Sequence, residues 1–342
     1  MITILIVDDS LFVREQVKTI LSSEKDLVVV GEARNGREAV SLARKLEPDV
    51  IIMDVEMDGM DGIEATRYIM EECPVPIVIH TSSTIARERN VPFEAMKMGA
   101  LDIIRKPDIY PLTDDLKKEF LNKIKIVAGI KVIRRRKLVE SSGETIAQEV
   151  GARPVPKILA IAASTGGPKA IYEILSQLPP VVPFPIMIVQ HIGASFVEGF
   201  VEWLQTATSI QMRIARNGER VVPNSCYLSP GTHHLSIDQN ETIVLRHGPP
   251  VNSCKPSADV LFDSVAKVYG KYAVGLLLTG IGQDGAKGLL HIKLAGGMTL
   301  VQDESSSIVF GMPKAAIEKN AAVRICSLDR IPYELIELFR LN

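Results

Sequence analysis

The chain reads as an α/β protein built from two doubly wound parallel-sheet domains, the second larger and carrying a β-rich insert. Three observations predict this. Short apolar, β-branched runs alternate with stretches of helical period in two separate tracts, the pattern of a parallel sheet covered by helices. A basic stretch that loses its apolar period divides the tracts, and in both of them polar residues gather where strands end. A length of 342 residues leaves room for two cores of ordinary size.

In the first tract, Ile2–Val7, Leu27–Ala33, Val50–Met53, Ile77–His80 and Ile103–Ile104 read as strands. Phe12–Leu21, Gly36–Leu46, Gly62–Met70 and Pro92–Met98 between them carry apolar residues at helical spacing. Chemistry in such sheets collects beyond the carboxyl ends of the strands. Those ends here hold Asp8 and Asp9, then Asp54, then Thr81 and Lys106. Converging carboxylates repel one another, and a hard cation such as Mg²⁺ would neutralise them. A lysine across the rim suits a transferred phosphoryl oxygen, with Asp54 as the nucleophile that takes the group. Any one of these acids is more commonly a turn or cap former; five coordinated strand-end positions argue for a site.

Val7-Asp8-Asp9-Ser10, Met53-Asp54-Val55-Glu56-Met57, Thr81 and Lys106-Pro107 resemble the response-regulator receiver domain over residues 1–122. The resemblance implies a flavodoxin-like fold with Asp54 as phosphoacceptor. It also implies that Asp9, Asp54 and the Glu56 main-chain oxygen ligate Mg²⁺, with Asp8 helping through water. Thr81 and Lys106 then report the phosphoryl group to the surface.

Residues 123–153 form the connector, with 8 Lys+Arg against 3 Asp+Glu. Its first half extends a helix with a basic face, and its second half reads as a tether. Arg134–Lys137 is a solvated linker face in preference to a docking patch. By contrast, residues 1–122 hold 15 basic against 23 acidic residues, and residues 154–342 hold 16 against 15. A large near-neutral segment argues against nucleic-acid binding. No apolar run reaches the length of a membrane span and the N-terminus lacks a basic lead-in, so the expected location is cytoplasmic. The four cysteines show no metal-ligand spacing with histidine and read as reduced structural thiols.

In the second tract, 154–342, the runs Ile158–Ala163, Pro185–Gln190 and Val274–Leu278 suit buried parallel strands. Gly167–Leu178, Ser195–Ala207, Ser257–Tyr269 and Asp284–Leu294 are the expected helices, and Gln211–Arg246 is the β-rich insert. Ser164, His191 and Asp284 stand at strand ends again. If the strands adjoin, hydroxyl, imidazole and carboxylate meet, which is what activating a serine at neutral pH requires. Backbone N–H groups after Ser164 and in the Gly280–Gly282 turn suit an oxyanion.

Each residue also has a plain alternative. Ser164 can cap a helix, His191 can be a satisfied ring, and Asp284 can be an N-cap. The glycines after Ser164 can bind an anion, although the spacing is not that of a P-loop. His233 and His234 compete as metal ligands or base, but their alternating context favours a surface or pocket-wall role. The residues alone leave these readings open.

Ser164-Thr-Gly-Gly-Pro168, Gln190-His191, Pro230-Gly-Thr-His-His-Leu235, Pro256-Ser-Ala-Asp-Val-Leu-Phe262 and Gly280-Ile-Gly-Gln-Asp-Gly-Ala286 resemble the catalytic domain of the chemotaxis protein-glutamate methylesterase family. The resemblance implies a serine hydrolase with Ser164 as nucleophile, His191 as base, Asp284 as orienting acid, and the Thr165 and Ile281 amides as oxyanion donors. It implies hydrolysis of glutamyl methyl esters on the cytoplasmic helices of chemoreceptors, often with glutamine deamidation, and no metal for that step. A chemotaxis histidine kinase is the implied phosphodonor, with Asp54 governing access to Ser164. Ile281 replaces a frequent methionine and Lys255 a frequent arginine. A receiver-controlled binding module and a general small-ester hydrolase are the rival readings.

Overall fold

The computed structural model describes residues 1–82, 91–107, 112–130, 132 and 154–341. The chain divides into two compact units, Met1–Glu140 and Ser141–Asn342. Arg134–Lys137 lies outside the described residues.

The first unit holds β1 (Ile2–Val7), β2 (Leu27–Ala33), β3 (Val50–Met53), β4 (Ile77–Thr81) and β5 (Asp102–Arg105). They pair in parallel in the order β2-β1-β3-β4-β5. Its helices are α1 (Leu11–Leu21), α2 (Gly36–Leu46), α3 (Gly62–Glu72), α4 (Val91–Met98) and α5 (Asp114–Ala128). The helix starts are written locally. Ser10 Oγ accepts from Val13 N, Asn35 Oδ1 from Glu38 N and Asp61 Oδ1 from Glu64 N, each relieving an otherwise unpaired first-turn amide. β3 is buried along its whole length, as a strand covered on both faces must be. Helix α5 runs through residue 122, so the basic-faced extension expected there is helix to Ala128.

The second unit contains β6 (Ile158–Ala163), β7 (Ile186–Gln190), β8 (Gln211–Ile214), β9 (Ser225–Leu228), β10 (His234–Ile237), β11 (Ile243–Arg246), β12 (Ala273–Leu277), β13 (Met298–Gln302) and β14 (Arg324–Cys326). Seven of these form one parallel sheet, in the order β14-β13-β12-β6-β7-β9-β8. The helices are α6 (Gly167–Leu175), α7 (Val197–Gln205), α8 (Ala258–Tyr269), α9 (Ala286–Leu294), α10 (Met312–Glu318) and α11 (Ile331–Phe339).

The expected insert is corrected in part. β8 and β9 extend the main sheet, and only β10 and β11 form a separate antiparallel pair. The β13–α11 region also forms elements that the sequence pattern did not single out. Asp284 stands two residues before α9 rather than inside it. No helix among the described residues is long and apolar enough to cross a membrane.

Sheet order places the second site. β6 is central, with β12 on one side and β7 on the other. Ala163 registers with Gln190, and the His191 amide donates to Ala163 O at 2.9 Å. On the opposite side the Ser164 amide donates to Thr279 O at 3.0 Å. Neighbouring strands run about 4.8 Å apart, so Ser164 emerges between the two loops that carry His191 and Asp284.

Candidate functional site

In the first unit, β1, β3 and β5 bring their polar ends together. Lys106 Nζ lies 2.6 Å from Asp54 Oδ2 and 2.7 Å from Asp8 Oδ2. Both carboxylates are buried, at 4% and 1% exposure. Burial pushes Asp54 up to about 6 against the pull of Lys106, and Asp8 adds to the rise. Asp8 is raised by burial too, with Lys106 opposing. For Lys106, burial works against the charge but the two carboxylates outweigh it and hold the ammonium above its ordinary value.

Asp9 stands exposed at the rim, and one oxygen from each of Asp8, Asp9 and Asp54 lies within 4.8 Å of the others. An all-carboxylate donor set with an open side fits a hard divalent cation. Glu56 lines the same recess as Asp9, Asp54 and Lys106. Thr81 ends β4, and its buried hydroxyl has no hydrogen-bond partner among the described residues. Such an orphaned hydroxyl fits a group that arrives later.

In the second unit, the turn after β6 leaves no room for side chains. Gly166 stands just before α6 at φ +78°, and a Cβ on Gly167 would sit 2.2 Å from Gln190 Oε1. Gln190 Nε2 in turn donates to Ser164 O at 2.8 Å and fixes the turn. Ser164 does not cap the helix, since no side chain does. Gly280 lies against Ser164 so closely that a Cβ there would come within 2.7 Å of Ser164 Cβ.

His191 Nε2 and Asp284 Oδ2 are 3.0 Å apart. Asp284 is buried yet surrounded by donors: Ser257 Oγ at 2.6 Å, the Ala258 amide at 2.6 Å, Asn252 Nδ2 at 3.1 Å and the Asp259 amide at 3.3 Å. The backbone donors are the first amides of α8, so a carboxylate from another loop closes the N-terminus of this helix. Burial alone would raise Asp284; His191 and Ser257 lead the donors that hold it below the ordinary carboxylate value. For the ring, burial opposes protonation, but Asp284 and then Cys254 outweigh it and raise His191 to about 9. With Nε2–H committed to the carboxylate, Nδ1 is the atom that exchanges its proton.

Cys254 Sγ faces that Nδ1 at 3.8 Å. Among the described residues, the Ser164 hydroxyl itself is not hydrogen-bonded to the ring. Asp284, Ser257 and His191 thus form the connected part of the site, with Ser164 beside it. His234 is not a surface residue: it is buried, its Nδ1 accepts from the Ser257 amide and its Nε2 donates to Pro249 O. His233 pairs instead with exposed His247, 2.8 Å between the Nε2 atoms.

Residues 159–335 match the CheB methylesterase family model and residues 4–117 the response regulator receiver domain. The chain is 40% identical over 329 residues to a protein-glutamate methylesterase/protein-glutamine glutaminase of Methanospirillum hungatei, covering 94% of each. It is 38% identical over 343 residues to one of Myxococcus xanthus, covering 98% of this chain and 97% of that one. The chain belongs to the protein-glutamate methylesterase family. It is a hydrolase of the chemotaxis system joined to a receiver. The methylesterase catalytic domain of Thermotoga maritima CheB superposes on it with a TM-score of 0.52 at 35% identity, covering 54% of this chain and 98% of that domain.

Within this methylesterase domain, Cys254, expected as a structural thiol, faces His191, and Asn252 and Ser257 bond Asp284. Ser257 belongs to the segment Pro256–Phe262, whose local pattern gives no sign of this bond, and nothing in local spacing links Cys254 to a histidine 63 residues away. The thiol is free, as expected, but it stands in the site rather than in the core.

Proposed function

We propose that Ser164, His191 and Asp284 carry out the hydrolysis of glutamyl γ-methyl esters on the cytoplasmic helices of chemoreceptors, and the deamidation of receptor glutamines. The observation that carries this reading is the 3.0 Å His191–Asp284 bond at the strand end next to Ser164. Ser164 Oγ attacks the γ-carbonyl carbon while its proton passes to His191 Nδ1. Asp284 holds the other ring N–H and stabilises the imidazolium.

The Ser164 amide is already used by Thr279 O, so the Thr165 and Ile281 amides are the proposed oxyanion donors. Collapse of the tetrahedral intermediate expels methanol, or ammonia from a glutamine, with the proton returned by His191. Water then releases glutamate from the acyl-enzyme by the same relay. These steps draw on this chain's own groups and one water.

In the receiver, residues 1–122, Asp54 is the proposed phosphoacceptor, with a chemotaxis histidine kinase as donor. Asp9, Asp54 and the Glu56 main-chain oxygen would hold Mg²⁺, assisted by Asp8. The ion, when bound, supplies charge neutralisation for the incoming phosphoryl group. Lys106 would pair with a phosphoryl oxygen, and Thr81 would give its free hydroxyl to another.

Methanol release from methylated receptor membranes, with and without phosphodonor, tests both halves. Wild type is expected to release methanol faster with phosphodonor, Ser164→Ala to release none, and Asp54→Ala to keep its basal rate without the increase. A phosphodonor that labels Asp54 without raising methanol release excludes control through this residue.

A further inference from the structure

The 3.8 Å contact between Cys254 Sγ and His191 Nδ1 has no task in the hydrolysis. Cys254 is held there by its surroundings. It closes a two-residue turn in which the amides and carbonyls of Val251 and Cys254 exchange hydrogen bonds at 3.0 and 2.9 Å. Both central residues, Asn252 and Ser253, have positive φ, at 50° and 62°, as the tightest hairpin turns require. Asn252 Nδ2 then ties the turn to Asp284 Oδ1 at 3.1 Å and to Asp259 Oδ2 at 2.7 Å. The thiol is thus fixed to the same carboxylate that fixes the ring.

We propose that Cys254 Sγ and His191 Nδ1 form an inhibitory site for a thiophilic divalent cation of the Zn²⁺ class, with solvent completing the tetrahedron. Zn–N of about 2.0 Å and Zn–S of about 2.3 Å at a tetrahedral angle place the two ligand atoms about 3.5 Å apart. The 3.8 Å separation needs only a small closure.

Histidines that bind zinc usually give their other N–H to a carboxylate, which fixes ring and tautomer. Asp284 already does this through Nε2. His191 and Cys254 are both half-buried, so the ion and its waters have access, whereas Cys226 and Cys326 are buried. On binding, the thiol and the protonated Nδ1 of His191 each give a proton to solvent, and the ion takes the thiolate and the Nδ1 lone pair so freed. That inhibition follows rests on His191 being the base of the proposed reaction; the metal site does not.

The full chain, stripped of metal and held in excess Mg²⁺ to occupy the receiver carboxylates, provides the test. Methanol release is measured against Zn²⁺, and Co²⁺ is titrated optically, because its thiolate charge-transfer band reports sulfur coordination without catalysis. Zn²⁺ is expected to inhibit, and a chelator to restore the rate. Cys254→Ser and Cys254→Ala, each compared with its own metal-free rate, should raise the inhibitory concentration about 10- to 100-fold, the scale seen when a metal site loses support. Both should lose the Co²⁺ band, and His191→Ala should weaken it. His247→Ala, which removes the exposed histidine pair, should alter neither readout. Inhibition unchanged in both Cys254 variants, or relieved by His247→Ala, overturns the proposal. A Co²⁺ band that disappears with Cys254 in a chain releasing no methanol upholds the metal site and rejects the esterase reading instead.

Discussion

Asp54 and Asp284 are both buried aspartates at the carboxyl end of a parallel sheet, yet their surroundings push their pKa values in opposite directions. Asp54 takes one amide, from Val55 at 2.7 Å, and shares a single lysine with Asp8. Asp284 collects a hydroxyl, two helix-start amides, a side-chain amide and an imidazole. Burial wins at the first and raises the pKa; donors win at the second and lower it. The difference matches the proposed tasks, in which one carboxylate attacks and accepts a group and is left short of partners, and the other holds a ring in place and is given a full set.

The sharpest way to break the comparison is to remove the nucleophile from only one site. Ser164→Ala should lower ester hydrolysis by about 10⁴- to 10⁶-fold, the scale of losing a member of a serine triad, while phosphate labelling of the receiver stays at the wild-type level. Labelling that falls in parallel would show that the variant had damaged the fold.

Asp284→Asn comes next, because an amide cannot favour the imidazolium as the carboxylate does. A loss on the order of 10⁴-fold in turnover is expected. The pH profile should separate orientation from charge: the wild-type rate should rise as His191 gives up its proton, near its raised value of about 9. In the asparagine variant that midpoint should fall toward the ordinary ~6.5. The same shift fixes a sign for stability. With the folded pKa of His191 above the unfolded one, the ion pair contributes fully below ~6.5 and is lost as pH rises through about 9. The depressed Asp284 contributes above its ordinary value and is lost as pH falls through the lowered one.

Asp54→Asn should do the reverse of a damaging core change. Because burial favours the neutral form, a neutral isostere is expected to raise the receiver's stability at pH 7 by about 1–3 kcal/mol, measured by denaturant unfolding, while abolishing labelling. A drop in stability would mean that Lys106 needs Asp54 more than burial penalises it. The smallest effect belongs to Ser257→Ala, which removes one donor from Asp284. A stability loss of about 1–2 kcal/mol should appear in thermal melts, with the His191 midpoint not falling, because Asp284 stays ionised throughout that range.

The two units also differ in how much of them was legible. In the receiver every strand lies close to where β-branched runs place it, and Asp8, Asp9, Asp54 and Lys106 come together at strand ends, with the Thr81 carbonyl accepting from the Lys106 amide. In the larger unit the Ser164 turn and the loops of His191 and Asp284 were readable. The Gln211–Arg246 tract was not, because period-2 alternation marks a strand without naming the sheet it joins. β14 escaped because it is only three residues long, too short for a period to show.

Residue identity and local period determined the strand runs, the glycine turn at Ser164, and the chemical types at each strand end. Tertiary structure alone decided that β12 lies beside β6, that the start of α8 points its amides at Asp284, and that Cys254 sits on the imidazole. Backbone sterics and side-chain period act over a few residues and are written locally. Which distant groups meet depends on how the whole chain packs, and no local spacing records it.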